Sequence, residues 1–372
     1  MVIQTAKVNA GNLPEYLKEV PYCSSTFGVS LYDGSLDDIR FVPDGSQNAD
    51  WIRWGRAENS GFTRLEFYID ENTTDEERTC NLIITYDGED NFLTLRQKTA
   101  GGIIKFEDPM VRQVCVDAFD LDADGELSYY EAAIPDNIDG LSFRQMDIRT
   151  FNEFQWFTNV REITSPVFAE SKIESIKFPY AFSVLHDAVF LLCRELVDTD
   201  LSDILVHSAF SGCESLENVE AKIAGIGAFA ECRSLNAVVQ QRSGVPHAAF
   251  NECTNLRSFR FKITEPGVHY IGRRAFQGCA YLPEITIPAD ITEIQDDAFR
   301  SCISLSKVYM EPLDPPSLGE HVFLGTNEDL RIYVPYESLS NYKEAWGALS
   351  FRIEPHDPEG VLMIYMASWG SA

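Results

Sequence analysis

The sequence predicts a multidomain chain: an N-terminal all-β sandwich, a small helical cap and a C-terminal β-solenoid. Three observations predict it. Short alternating strands with polar turns fill the first hundred residues. A motif of Ala, Phe, Cys and Leu recurs in register from about residue 161 to 353. Between them lies a segment that reads as helix, acidic loop, helix. The expected division is 1–100, 101–160 and 161–372.

The sandwich rests on three runs. Phe62–Tyr68, Asn81–Tyr86 and Phe92–Arg96 alternate apolar and polar residues. Strands at that spacing suit an immunoglobulin-like sandwich. The stretch Trp51-Ile52, Asn72-Thr73-Thr74 to Arg78, and Leu95 to Gln97 resembles the carbohydrate-associated BACON domain of Bacteroidetes. That resemblance spans about 75 residues and implies either glycan binding or a spacer. An exposed platform at Trp51 and Trp54 would favour glycan; Trp51 in the core would weaken that reading. Asn72 also begins a formal glycosylation sequon, read here as part of a turn.

The cap rests on one motif. Asp120-x-Asp122-x-Asp124-Gly125-Glu126-x-Ser128-x-x-Glu131 resembles the calcium loop of an EF-hand or dockerin. Calcium takes six to eight hard oxygens. Asp120, Asp122 and Asp124 offer carboxylates, Glu126 its backbone carbonyl, Ser128 a water-mediated contact and Glu131 both carboxylate oxygens. Gly125 permits the turn. Helices are expected over Met110–Phe119 and Tyr129–Ala133. Calcium is expected to be structural, bracing residues 101–160. Phe151, Phe154, Trp156 and Phe157 are expected to form the core of this cap.

The solenoid rests on the repeat. Ala209-Phe210-x-x-Cys213-x-x-Leu216 recurs at Ala228-Phe229, Ala249-Phe250, Ala275-Phe276 and Ala298-Phe299. Val189-Phe190-x-x-Cys193-x-x-Leu196 is a sixth copy, with degenerate copies at Phe168 and Phe323. Strands follow the leucines, as at Glu284–Ile287, Lys307–Tyr309 and Arg331–Val334. One such rung cannot bury its apolar face alone, so rungs must stack. Eight rungs at strand spacing give a core roughly 35–40 Å long. Equivalent cysteines on successive rungs point the same way, which is poor disulfide geometry. They are read as buried thiols. The remaining cysteines, Cys23, Cys80 and Cys115, are read likewise, with a Cys23–Cys80 bridge as the alternative.

The repeat resembles the BspA-like leucine-rich-repeat family of bacterial and protist surfaces. The run Ile332-Tyr333-Val334-Pro335, Leu339, Tyr342 and Trp346 is similar to the family's closing segment. The resemblance implies an adhesin or recognition protein that binds host proteins or other cells.

Composition bounds the function. The chain of 372 residues carries 58 acidic and 30 basic side chains, a formal net charge of −28. Such a surface repels nucleic acid and anionic lipid. No apolar run reaches the roughly 20 residues of a spanning helix. Residues 1–13 do not read as a signal peptide. The chain is therefore expected either in the cytosol or, as favoured here, at the cell surface, as an exported lipoprotein whose signal is not in this sequence. Val361–Ala367 reads as a closing strand or an unstructured end.

No enzyme is expected. The six histidines are scattered, and no nucleophile elbow or P-loop appears. Gly225-x-Gly227-x-x-Ala230 matches a dinucleotide fingerprint only inside a repeat, where stacking explains it. The favoured function is recognition of a host or cell-surface protein by a monomeric solenoid, with Tyr180, Tyr281, Tyr309 and Tyr333 as candidate contacts. The alternative is a glycan-binding accessory of polysaccharide uptake acting through the N-terminal domain.

Overall fold

The computed structural model describes residues 5–8, 19–20, 25–32, 36–43, 49–59, 62–74, 76–86, 89–197 and 199–356. The chain is mostly β with few helices. By compactness it forms two units. The first holds residues up to 141, 150–162 and 176–183; the second holds 142–149, 163–175 and the chain from 184 onward. Cys23 and Val361–Ala367 lie outside the described residues.

The first unit opens with eight strands: β1 (Thr5–Val8), β2 (Glu19–Val20), β3 (Ser25–Tyr32), β4 (Leu36–Pro43), β5 (Ile52–Asn59), β6 (Phe62–Ile69), β7 (Arg78–Tyr86) and β8 (Glu89–Gln97). They form two four-stranded sheets, in the orders β1-β3-β6-β5 and β2-β8-β7-β4. Alternation decides which residues turn inward. Leu65, Phe67 and Ile69 from one sheet meet Cys80, Leu82, Ile84 and Leu95 from the other in one buried cluster with Trp51 and Ile52.

A polar lock closes this unit. Asn72 is fully buried; its Nδ2 donates to the carbonyls of Glu76 (2.9 Å) and Lys98 (3.1 Å). Its Oδ1 accepts the N–H of Thr74 (3.1 Å) and the Thr74 hydroxyl (2.7 Å). Arg78 donates to Gln97 Oε1 and to the carbonyls of Asp70 and Glu71. These are the residues of the Asn, Arg and Gln pattern read from the sequence. Asn72→Ala removes the amide that joins Thr74, Glu76 and Lys98 and is expected to cost about 1–3 kcal/mol in urea unfolding; a cost below about 0.5 kcal/mol would contradict the lock.

The second unit is a stack of rungs. Its rings run Phe143, Phe168, Phe190, Phe210, Phe229, Phe250, Phe276, Phe299, Phe323. Successive centroids lie 5.0–6.0 Å apart and every pair is stacked. Phe143 extends the expected ladder by one ring. Backbone bonds tie rung to rung: each Phe N–H from Phe190 to Phe276 donates to the Ala carbonyl of the next rung.

The thiols complete the ladder in the other direction. Cys193, Cys213, Cys232, Cys253, Cys279 and Cys302 each donate to the Phe carbonyl of the preceding rung, at 2.9–3.2 Å. Burial pushes their ionisation up, to about 11 for Cys193 and about 12 for Cys232 and Cys302. All six are free and buried, as are Cys80 and Cys115. The cysteines are therefore hydrogen-bond donors as well as small apolar fillers.

Each rung turns sharply beside its ring. The residue two past each of the nine phenylalanines has positive φ, and only Gly212, Gly278 and Gly325 among them are glycines. Parallel strands follow: Asn218–Ile223, Ala237–Arg242 and Ser258–Glu265 in one sheet, then Glu284–Ile287, Lys307–Met310, Arg331–Pro335 and Ile353–His356 in another. Past Pro335 the stack ends on a short helix, Leu339–Ala345. The Tyr342 hydroxyl donates to the Pro312 carbonyl and Trp346 Nε1 to the Pro316 carbonyl, both at 2.8 Å.

Candidate functional site

The acidic loop sits between two helices. α1 (Pro109–Phe119) begins at Asp108, whose carboxylate accepts the N–H groups of Met110 and Val111, with Pro109 in the first turn. Val111 and Cys115 are buried, which anchors the helix. α2 (Tyr129–Ala132) begins at Ser128 in a capping box with Glu131. Phe151, Phe154, Trp156 and Phe157 are buried beneath this segment, with Phe119 edge-on to Phe157 and Tyr129 edge-on to Trp156.

Between the helices the loop wraps around its own carboxylates. Asp120 Oδ1 accepts the N–H of Ala123 (2.8 Å), and its Oδ2 accepts that of Gly125 (2.9 Å). Asp122 accepts Asp124 N–H, and Asp124 accepts Glu126 N–H. Gly125 has φ 85°, the left-handed conformation that glycine takes without strain. Asp120, Asp122 and Asp124 thus bring carboxylate oxygens within 4.8 Å of one another. Three negative charges at that separation repel unless a cation balances them.

The other three expected residues differ in position. Glu131 is buried and ties both ends of the loop: Oε1 accepts Leu121 N–H (2.8 Å) and Oε2 accepts Ser128 N–H (2.9 Å) and the Ser128 hydroxyl (2.8 Å). Burial opposes its charge, but the Ser128 and Leu121 amides and the Ser128 hydroxyl outweigh it and hold the carboxyl below its ordinary range. The Glu126 side chain pairs with Arg112 at 3.0 Å. Ser128 acts as the helix cap.

Part of this arrangement was not legible in the sequence. Residues 100–104 pair with the loop's exit: Ile104 N–H donates to the Leu127 carbonyl (2.9 Å), Tyr129 N–H to the Gly102 carbonyl (2.9 Å), and Ile103 bridges Ser128. The strand edge leaving the loop is thereby satisfied by the chain just ahead of α1. Ile103 and Ile104 give no sequence signal of this pairing beyond being apolar.

On the second unit, Tyr309 and Tyr333 stand on neighbouring strands with rings stacked at 5.1 Å, and His356 meets both edge-on. Both tyrosines are half-buried on the sheet side opposite Val308 and Ile332, which are fully buried. Arg331 pairs with Glu354 at 3.0 Å beside them. Tyr281 is 54% exposed, with the Arg257 guanidinium 4.8 Å above its ring.

Two aromatic expectations are corrected. Tyr180 belongs to the first unit and packs against its buried apolar cluster, so it is not a contact of the repeat surface. Trp51 is 4% exposed, inside that core with Arg78 over its ring, whereas Trp54 is 41% exposed. The two do not form one platform, and the glycan reading loses its main support.

Groupings that suggest catalysis have structural explanations. The Ser243 hydroxyl donates to Asp290, and His269 Nδ1 lies 3.3 Å from the same carboxylate oxygen. Asp290 stands between the other two, whereas a nucleophilic serine needs the imidazole beside it. A Cβ on Gly225 would lie 2.2 Å from the His207 backbone, so that glycine serves close packing of rungs. Gln240, fully buried, accepts from Ile223 N–H and donates to the carbonyls of Ile223 and Gly244. It repairs the ladder where neighbouring strands diverge, and nothing in the repeat pattern marks it.

Comparison with known proteins agrees with the stacked rungs. A profile described as the BspA type leucine rich repeat region matches in six copies over residues 133–236 and 222–342. A leucine-rich repeat protein from Bacteroides ovatus ATCC 8483 is 17% identical, over 56% of this chain and 76% of that one, with a TM-score of 0.26. A leucine rich cell surface protein from Faecalibacterium prausnitzii A2-165 is 19% identical with the same coverage and a TM-score of 0.19. No curated protein matches the chain. With more than half of its residues matched, the chain belongs to the BspA-type leucine-rich-repeat family.

Proposed function

We propose that this is a non-catalytic recognition protein of the cell surface, an adhesin in the broad sense. Its repeat stack, read as a β-solenoid, binds a host or cell-surface protein. The observation that carries this reading is the Tyr309–Tyr333 pair, stacked and half-exposed on a parallel sheet and flanked by the Arg331–Glu354 ion pair. Aromatic and arginine side chains dominate the energetics of protein interfaces. The two sheets of residues 1–100 serve as an immunoglobulin-like sandwich that spaces the repeats, residues 101–160 as a cap, and 161–372 as the binding part. The protein acts as a monomer and is exported.

Its test is a binding screen of the purified chain against matrix proteins and glycans. A protein ligand should bind, and Tyr309→Ser with Tyr333→Ser should weaken it at least about tenfold, which is about 1.4 kcal/mol. A glycan ligand lost on Trp54→Ser, with the tyrosines irrelevant, would overturn this reading in favour of the N-terminal domain.

We further propose that residues 120–131 bind a structural calcium ion, with Asp120, Asp122, Asp124 and Glu131 supplying carboxylates, Glu126 its carbonyl and Ser128 a water-mediated contact. The mutual approach of three carboxylates supports this. A ligand held only by the folded state stabilises it by about 2.7 kcal/mol at 100 times its Kd. Millimolar calcium after chelation should therefore raise the Tm of the wild type, and Asp122→Ala should abolish the response. An unchanged wild-type Tm would end the calcium reading.

A further inference from the structure

Glu153 lies on the short turn Asn152–Trp156 of the first unit and is 5% exposed. Its Oε1 accepts the N–H of Glu107 at 2.9 Å. Its Oε2 is buried and has no hydrogen-bond partner among the described residues. The groups that face it are two acids and a thiol: Glu107 and Asp108 ahead of α1, and fully buried Cys115 on α1. Beside it, Asn152 Nδ2 contacts Glu107 Oε2 at 3.3 Å, and Asn152 Oδ1 is a second buried acceptor without a donor. No lysine, arginine or histidine of the described residues acts on it.

A buried carboxylate needs a cation or several donors to hold its charge. Glu153 has the Glu107 amide on Oε1 and its own backbone amide nearby, no cation, and two acidic neighbours. We propose that Glu153 carries a proton in the native fold and that losing it loosens the turn against α1, making the packing of the helical segment sensitive to pH. The mechanism needs only the proton: as a neutral acid Glu153 gains an O–H to donate from its buried carboxyl, and repulsion from Glu107 and Asp108 vanishes.

The direction of titration agrees. Burial raises the carboxyl above its ordinary range; the Glu153 and Glu107 amides pull it down, and the Glu107 and Asp108 charges push it up again. The folded state therefore holds the proton more tightly than the unfolded chain. The resulting stabilisation is complete below the ordinary glutamate value of about 4.3 and fades as pH rises through the folded value.

The test uses the full chain in EDTA, so that the acidic loop holds no calcium, with thermal melts from pH 5 to 9. Wild type should lose at least roughly 2–4 °C more than Glu153→Gln over that range. Curves that stay parallel would overturn the proposal. Should the glutamine variant fail to fold, infrared spectra of the wild type decide: a protonated carboxyl band that persists above the ordinary glutamate value of about 4.3 is expected, and its absence counts against the proposal. Recovery of the wild-type Tm at pH 9 by calcium in an Asp122→Ala background would show a bound cation there and also overturn it.

Discussion

Phe250→Ala is expected to destabilise the repeat stack by about 3–5 kcal/mol, the range for an aromatic ring removed from a packed core. Phe250 is fully buried at the middle of the ladder. It stacks on Phe229 at 6.0 Å and on Phe276 at 5.5 Å, and Phe259 meets it edge-on at 5.3 Å. The truncation leaves the backbone bonds of the rung in place, because Phe250 N–H still reaches the Ala275 carbonyl and its own carbonyl still accepts the Cys279 thiol. The loss is thus one of packing, and it falls on two rung interfaces at once. Stability in such arrays is close to a sum of nearest-neighbour terms. Phe323, at the end of the ladder and half-exposed, stacks among the described residues on one ring, Phe299. Phe323→Ala should cost about half as much. Urea unfolding followed by tryptophan fluorescence and circular dichroism measures both, and equal costs would contradict the ladder as the source of stability.

Gly244→Ala is expected to cost a similar amount, about 3–5 kcal/mol, for an unrelated reason. Gly244 has φ 68°, where an L side chain is strained. A Cβ there would lie 2.0 Å from the Val268 carbonyl oxygen and 2.7 Å from that of Tyr270. Both obstacles are backbone, so neither can rotate aside. Relief requires residues 268–270 to move, which breaks the Val245 N–H bond to Tyr270 and the Ser243 hydroxyl contact with Val268. The Gln240 side chain also bonds the Gly244 carbonyl, so the disturbance reaches a fully buried amide. Ser301→Gly makes a useful contrast. Ser301 has φ 61°, and glycine there relieves roughly 1 kcal/mol of backbone strain.

The contrast between these sites shows what the sequence made legible. Rungs that repeat Ala, Phe, Cys and Leu declare themselves, because one environment recurs and selects the same side chains. Phe143 sits in the same ladder but lacks the Ala, Cys and Leu of the motif, so spacing alone could not place it. The left-handed corners are hidden because Gln145, Glu170, Leu192, Glu231, Glu252 and Ser301 occupy six of the nine. A strained position filled by an ordinary residue leaves no compositional trace. The cysteines were legible as buried thiols, but their hydrogen bonds to the preceding rung depend on carbonyl directions that only the stacked backbone reveals.

At the acidic loop the sequence predicts a set that also includes Glu131; Asp120, Asp122 and Asp124, close in the chain on a tight turn, approach one another, whereas Glu131 ties the loop's ends. The sequence could not show that Glu126 would turn to Arg112, or that residues 100–104 would pair with the loop's exit. Both depend on contacts with segments outside the motif. Tyr180 and Trp51 illustrate the same limit: aromatic residues near strand ends look alike in sequence, and only packing separates a core ring from an exposed one.

The repeat surface, not the N-terminal sheets, is expected to make the functional contact. Hydrogen–deuterium exchange of the full chain, with and without a bound protein ligand, tests it most directly. Protection is expected to concentrate on Lys307–Met310, Arg331–Pro335 and Ile353–His356, the strands that carry Tyr309, Tyr333 and His356. Protection confined to β5 around Trp54, with those three strands unchanged, would contradict it.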